Sequence, residues 1–210
     1  MSSIVFLFRR IMHLISKQKV LTMILERGGY ARSKDLRAAG VHPGMLPALE
    51  RSGSLVRIKR GLYALPDNNK GDDRLEALMA IPGSILCLGS ALSIHEIGTW
   101  EPPEIYLAVC AGRKVQVPEL LPIRLFHFAK ASFELGLIEN GGLDGKLRVY
   151  DAERTICDLL RLKKLVGADI ASEALREYMK RNERRIPRLL EYAEKLHVLG
   201  PLQRSLEVLL

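Results

Sequence analysis

Ser54-Leu55-Val56-Arg57-Ile58-Lys59-Arg60-Gly61-Leu62-Tyr63-Ala64-Leu65 decides how the N-terminal third of this 210-residue chain is read. Apolar and polar residues alternate to Ile58, Lys59-Arg60-Gly61 interrupts them, and alternation resumes at Leu62. That pattern predicts a two-stranded hairpin with Arg57, Lys59 and Arg60 clustered at its tip and Gly61 to turn it.

Three helical segments precede the hairpin. Val20, Leu21, Ile24 and Leu25 form the stripe of an amphipathic helix from Lys17 to Arg27, closed by Gly28-Gly29. Ser33 is an N-cap candidate for a short helix over Lys34 to Ala39, with Gly40 as the residue that tolerates a left-handed C-cap. Gly40-Val41 is then a turn. A third helix lies between His42 and Ser52, with Leu46 and Leu49 facing inward and Gly53 ending it. An interior proline costs about 3 kcal/mol, so Pro43 and Pro47 place the start of this helix near Gly44 or Met45, with Pro47 in its first turn. Its outward face offers Gly44, Ala48 and Arg51, with His42 at the entrance. Three helices followed by a basic hairpin predict a winged helix-turn-helix, in which the third helix enters the major groove and the hairpin neutralises flanking phosphates.

Charge agrees with this reading. Residues 1–65 carry 12 Lys and Arg against 3 Asp and Glu, while residues 66–210 carry 20 against 21, so the excess of +8 sits on the N-terminal module. A basic module ahead of a near-neutral body is the footprint of a nucleic-acid reader joined to a second domain. A winged helix used only for protein contacts is the alternative that the charge disfavours.

The sequence divides into an extension over 1–16, a DNA-binding domain over 17–65, a polar linker over 66–73 and a C-terminal domain over 74–210. Phe6, Phe8, Arg9 and Arg10 fit a DNA-contacting arm, but an overlong start with Met12 as the initiator is the simpler reading. The apolar run Ile4 to Leu7 is too short to span a bilayer and is followed by its charges, against a signal peptide. A cytoplasmic protein without membrane contact is expected. Cys87, Cys110 and Cys157 lie 23 and 47 residues apart in apolar stretches, so they are read as buried free thiols rather than zinc ligands or disulfides.

In the C-terminal domain a helix over Arg74 to Ala80 leads to a small-residue run, Ile85 to His95, expected as a buried helix. Strands are expected at Glu104 to Cys110, Ile123 to Phe128, Gly136 to Ile138 and Lys146 to Tyr150. Helices follow near Ala152 to Leu162, Asp169 to Arg181, Ile186 to Leu196 and Leu202 to Leu210. Strands followed by a helical run predict an α+β class: a winged helix-turn-helix, then a mixed α/β domain ending in helices. The stripe Leu202, Leu206, Leu209 and Leu210 is read as buried within the chain. Arg176, Lys180, Arg181, Arg184, Arg185 and Arg188 make a second basic cluster, read either as a solvated face or as a second surface for DNA or a partner.

No catalytic constellation emerges. Gly89-Ser90 has the form of the pair that cradles a triphosphate in nucleotidyltransferases, but the magnesium-binding carboxylates do not follow, and close packing explains the pair. His95 and Glu96 are sequence neighbours and would point about 100° apart on a helix. Asp151, Glu153, Arg154 and Asp158 read as capping and salt-bridge residues, with Asp151 the N-cap. No phosphate loop, serine elbow or zinc-binding motif occurs. Neither an enzyme nor a cofactor is expected.

Gly40-Val41, Leu46, Leu49, Gly53, Leu55 to Ile58, Arg60 to Leu65, Ser90 to His95, Tyr150 to Leu159 and Glu173 to Tyr178 together resemble the AbiEi family, antitoxins of type IV abortive-infection toxin-antitoxin systems. The resemblance runs from about residue 17 to the C-terminus. It implies a winged-helix domain that binds inverted repeats in double-stranded DNA upstream of its own operon and represses it. It further implies a C-terminal antitoxin domain that counteracts a nucleotidyltransferase-like toxin without a stable complex. By position, the DNA-facing residues are Arg32, Ser33, Lys34, His42, Arg51, Arg57, Lys59 and Arg60. Pro43 and Pro47 depart from the family, whose third helix usually carries polar or aromatic residues there. An inverted repeat implies two copies of the protein on the operator. The alternative function is a plain winged-helix regulator whose C-terminal domain dimerises or senses a ligand.

Overall fold

The computed structural model describes residues 17–66, 73–119, 121–141 and 146–209. The extension over 1–16, most of the linker and Leu210 lie outside these residues. The chain forms two compact units, the first reaching Ala80 and including 141–145, the second comprising 81–140 and 146–210.

The first unit begins with helix α1 over 17–25. Val20 and Ile24 are buried and Leu21 partly so, but Leu25, grouped with them by periodicity, is 65% exposed where the helix ends. Strand β1 (Tyr30–Arg32) follows, then α2 (Ser33–Ala38) and α3 (Met45–Arg51). Strands β2 (Val56–Lys59) and β3 (Leu62–Ala64) form the hairpin, and α4 (Asp73–Ala80), grouped by sequence with the second domain, lies in this unit. The sheet is antiparallel in the order β1-β3-β2, pairing Tyr30 with Ala64 and Arg57 with Tyr63.

Both short helices end through a glycine. After α2, Gly40 at φ +84° donates its N–H to the carbonyl of Arg37 and Val41 donates to Leu36, closing the helix while Leu36 and Val41 enter the core. Gly53 at φ +70° ends α3 in the same way, with Ser54 donating to Leu49. A left-handed residue at this position satisfies the last carbonyls, and glycine reaches it without the Cβ penalty. Ile24, Leu36, Leu46, Leu49, Leu55 and Tyr63 then meet in one small core.

In the second unit β4 (Ile85–Leu86), β5 (Ile105–Cys110), β6 (Ile123–Phe128), β7 (Leu137–Gly141) and β8 (Lys146–Tyr150) make a sheet in the order β6-β5-β4-β8-β7. It is mixed: β4 runs antiparallel to β5 and parallel to β8, and β5 runs parallel to β6. Helix α5 (Leu88–Ile94) follows β4, so the run expected as one buried helix from Ile85 is a short strand and a shorter helix. Helices α6 (Ala152–Arg161), α7 (Lys163–Val166), α8 (Ala168–Lys180), α9 (Ile186–Lys195) and α10 (Leu199–Leu209) complete the helical run. Helix α6 is buried from Glu153 to Leu160. Leu202 is fully buried, and Leu206 and Leu209 pack partly against the same core.

Gly89 and Ser90 are both packing elements. A Cβ on Gly89 would lie 2.6 Å from Trp100 and 2.8 Å from Pro102, and the buried Ser90 hydroxyl accepts a 2.9 Å bond from the Tyr106 N–H. Gly89→Ala is expected to destabilise the protein by about 1–3 kcal/mol through overpacking. Urea denaturation measures this, and an unchanged midpoint would mean that Trp100 moves freely.

Cys87 and Cys157 are buried and Cys110 is half-buried, all as free thiols. Burial pushes the Cys157 thiol up to about 12, so it stays protonated. Among the described residues no helix is long and apolar enough to cross a membrane, and no group of three His, Cys, Asp or Glu is arranged to hold a metal ion.

Candidate nucleic-acid interface

Arg37, Arg57 and Arg60 come from α2, β2 and the β2–β3 turn, yet they line one concavity of about 550 Å³. Ser33, Gly61 and Tyr63 share its polar side, and Pro43, Leu46 and Pro47 form its apolar side. The three arginines are exposed, and among the described residues none carries an ion pair. Three guanidiniums converging beside the exposed Pro47 of α3 have the charge and the donors to hold an extended polyanion.

The sequence places Ser33, Arg57 and Arg60 here, and it misses Arg37. Ser33 and Arg37 are one helical turn apart, and an Arg37 Nη2 donates to the Ser33 hydroxyl at 3.3 Å. The i, i+4 spacing was the available signal. Ser33 is not the N-cap. Arg32 occupies that position, without a side-chain cap, because Ser33 donates its N–H to the carbonyl of Gly61 at 2.8 Å and starts the helix itself.

The other expected contacts lie elsewhere. Lys59 Nζ donates to the carbonyl of Ala80 at the end of α4. Arg32, on β1, is half-buried, with its Nε enclosed and without a hydrogen-bond partner among the described residues. Lys34 is exposed on the first turn of α2 but does not line the concavity. His42 Nδ1 accepts from the Gly44 N–H at 3.1 Å, fixing the ring over the start of α3. Arg51 folds back, its Nε donating to the carbonyl of Pro47 at 3.2 Å.

In the basic cluster of the second unit the side chains are mostly exposed, and most of them also hold a partner. Arg185 grips Glu153 with two bonds of 3.0 and 2.5 Å, and Arg188 approaches Asp151 at 3.6 Å. Lys180 pairs with Glu177 at 2.7 Å, and Arg181 donates to the carbonyl of Glu96. Arg184 donates to the carbonyl of Arg181 at 2.7 Å, while Arg176 remains exposed. Charge spacing along a helix does not reveal the tethers of Arg181, Arg185 and Arg188, because their acceptors come from distant segments.

Two of those tethers, from Arg185 and Arg188, converge on the start of α6. Asp151 is its N-cap, accepting from the Arg154 N–H at 2.8 Å, and burial pushes its carboxyl up against that bond. Burial also pushes Glu153 up, but hydrogen bonds from Arg185 and from the Tyr178 hydroxyl at 2.8 Å outweigh it and hold the carboxyl below its ordinary 4.5. A lowered carboxylate contributes stability above its unfolded pKa that is lost as pH falls through the folded pKa. Glu153→Gln is therefore expected to cost about 1–3 kcal/mol at neutral pH, with the gap to wild type narrowing below pH 4.5. Urea titrations across this range test the sign, and a constant gap would contradict it.

No curated protein matches the chain. Among solved structures, the crystal structure of the RV2827C protein from Mycobacterium tuberculosis is similar at a TM-score of 0.56 and 16% identity, covering 93% of this chain and 80% of that one. At that identity the likeness concerns the fold, which extends across both units. Residues 9–66 match the family model described as "Transcriptional regulator, AbiEi antitoxin", a match that begins ahead of Met12 and ends just after the β2–β3 hairpin. The segment that supplies the arginine-lined concavity is therefore similar to the AbiEi antitoxin family of transcriptional regulators.

Proposed function

We propose that the first unit is a winged helix-turn-helix that reads inverted repeats in DNA upstream of its own operon, acting in the cytoplasm as an autorepressor. In this reading α2 and α3 are the helix-turn-helix, α3 enters the major groove, and the β2–β3 hairpin is the wing that grips the flanking backbone. The observation that carries it is the convergence of Arg37, Arg57 and Arg60 around the exposed face of α3. Two copies then occupy the two halves of one operator. The second unit serves the antitoxin role, counteracting a nucleotidyltransferase-like toxin.

Fluorescence anisotropy on the duplex immediately upstream of the gene, against a scrambled duplex at two salt concentrations, tests the first half. Tighter binding to the native duplex at both salts is expected. Equal affinity for both would reduce the site to a basic surface. Co-expression with a nucleotidyltransferase encoded beside the gene tests the second half: restored growth is expected, and continued toxicity would leave a plain regulator.

A further inference from the structure

Building on the DNA-binding reading above, we propose that α3 recognises its operator through the C5-methyl groups of thymines, using Pro47 and Ala48, while the arginines around it supply only backbone attraction.

The outward stripe of α3 is Gly44, Pro47, Ala48 and Arg51 at helical spacing. Direct readout by hydrogen bonds needs side chains with free donors or acceptors aimed at base edges, most often arginine, lysine, asparagine or glutamine. Here Arg51 is the sole member of the stripe that qualifies, and with its Nε engaged by the carbonyl of Pro47 only its two terminal amino groups are left to donate. His42 at the helix start uses Nδ1 to accept from Gly44. Glu50 lies off the stripe beside the buried Leu46 and is itself half-buried.

Besides the terminal amino groups of Arg51, the outward stripe presents the exposed pyrrolidine ring of Pro47 and the half-buried methyl group of Ala48, and Pro43 and Leu46 continue Pro47 along the apolar side of the concavity. In the major groove the apolar group that a base pair presents is the thymine methyl. A small apolar face lets the helix backbone approach closely enough to bury it. Arg37, Arg57 and Arg60 border that face and match phosphates on either side in charge and position. Affinity and selectivity are thus divided between different residues: the arginines bind any duplex, and the prolines and alanine favour A·T pairs at particular positions.

The test uses the DNA upstream of the gene amplified with either dTTP or dUTP, since uracil pairs like thymine and lacks only the methyl. A scrambled thymine duplex is the reference, and gel shifts give the affinities for the full-length protein. Wild type is expected to bind the uracil duplex about fourfold more weakly for each methyl buried, from the transfer free energy of one such group. Pro47→Ala, which adds a good helix former at an exposed site, is expected to lower affinity for the thymine duplex and bring the uracil penalty towards one. Arg57→Ala is expected to weaken both duplexes by the same factor. Equal affinity for thymine and uracil duplexes, with the native-over-scrambled preference intact, would overturn methyl recognition and leave DNA binding standing. A uracil penalty undiminished in Pro47→Ala would assign it to duplex mechanics and overturn the proposal too. Loss of the native-over-scrambled preference in wild type would overturn the DNA reading itself.

Discussion

Arg57→Ala combined with Arg60→Ala is expected to weaken binding to the upstream duplex by on the order of thirtyfold at physiological salt and to flatten its salt dependence by about 1.8 in log–log slope. The slope change follows from two phosphates no longer neutralised, each releasing about 0.9 counterion. Both side chains line the concavity and are exposed, so their removal leaves the core of the first unit intact. Lys59→Ala, between them in the hairpin, is expected to behave differently. Its ammonium is bonded to the carbonyl of Ala80, where it also faces the negative end of α4, so its loss costs about 1–2 kcal/mol of stability with little change in slope. Anisotropy titrations over a range of salt, paired with urea denaturation, separate the two effects. An unchanged slope in the double variant would remove the hairpin from the interface.

The largest expected loss of stability belongs to Arg154→Ala. Arg154 is 0% exposed; its Nε donates to Asp158 at 2.8 Å, its Nη1 to the carbonyls of Ser132 and Leu135 at 2.6 and 2.9 Å, and its guanidinium lies over the Tyr150 ring at 4.5 Å and the Phe128 ring at 5.4 Å. The two carbonyl bonds hold the loop before β7, and the bond to Asp158 neutralises a carboxylate that is also fully buried. Burial pushes Asp158 up, with Arg154 and Arg161 opposing, so deleting one arginine leaves a desolvated charge half-compensated. Removing one member of such a pair costs about 3–5 kcal/mol, and the orphaned carbonyls add to it. The midpoint of urea denaturation, followed by tyrosine fluorescence, should fall accordingly. Arg154→Met with Asp158→Asn removes the charge imbalance while keeping volume, and should recover part of the loss. A shift below about 1 kcal/mol in the single variant would mean that the loop reaches another anchor.

Gly136 ties this cluster to the backbone. It sits at φ +75°, and a Cβ added there would lie 2.6 Å from the Cβ of Arg154, so the loop is pressed directly onto α6. Its N-terminal neighbour Leu135 accepts from the guanidinium, and its own carbonyl accepts from the Asp151 N–H at 2.7 Å.

Much of this was legible in the sequence. The amphipathic stripes fixed four of the helices from Ala152 onward to within about three residues but missed the four-residue α7, and strands such as Ile123–Phe128 and Lys146–Tyr150 were read at their bounds. The capping role of Asp151 followed from residue type and position. Two strands escaped: Tyr30–Arg32 and Ile85–Leu86 are three and two residues long. Segments so short carry no alternation, and they are strands only because β3, β5 and β8 lie beside them.

The candidate interface divides in the same way. Residue type and turn chemistry alone determined that a basic hairpin follows a proline-marked helix, because glycine turns, apolar periodicity and charge are local properties of the chain. Which cations face outward was decided by tertiary structure. Lys59 finds its acceptor 21 residues away and Arg185 finds Glu153 32 residues away, while Arg57 and Arg60 stay exposed. A charged side chain takes a partner wherever folding brings one within reach, and that proximity is set by packing of segments far apart in sequence, which local pattern does not encode.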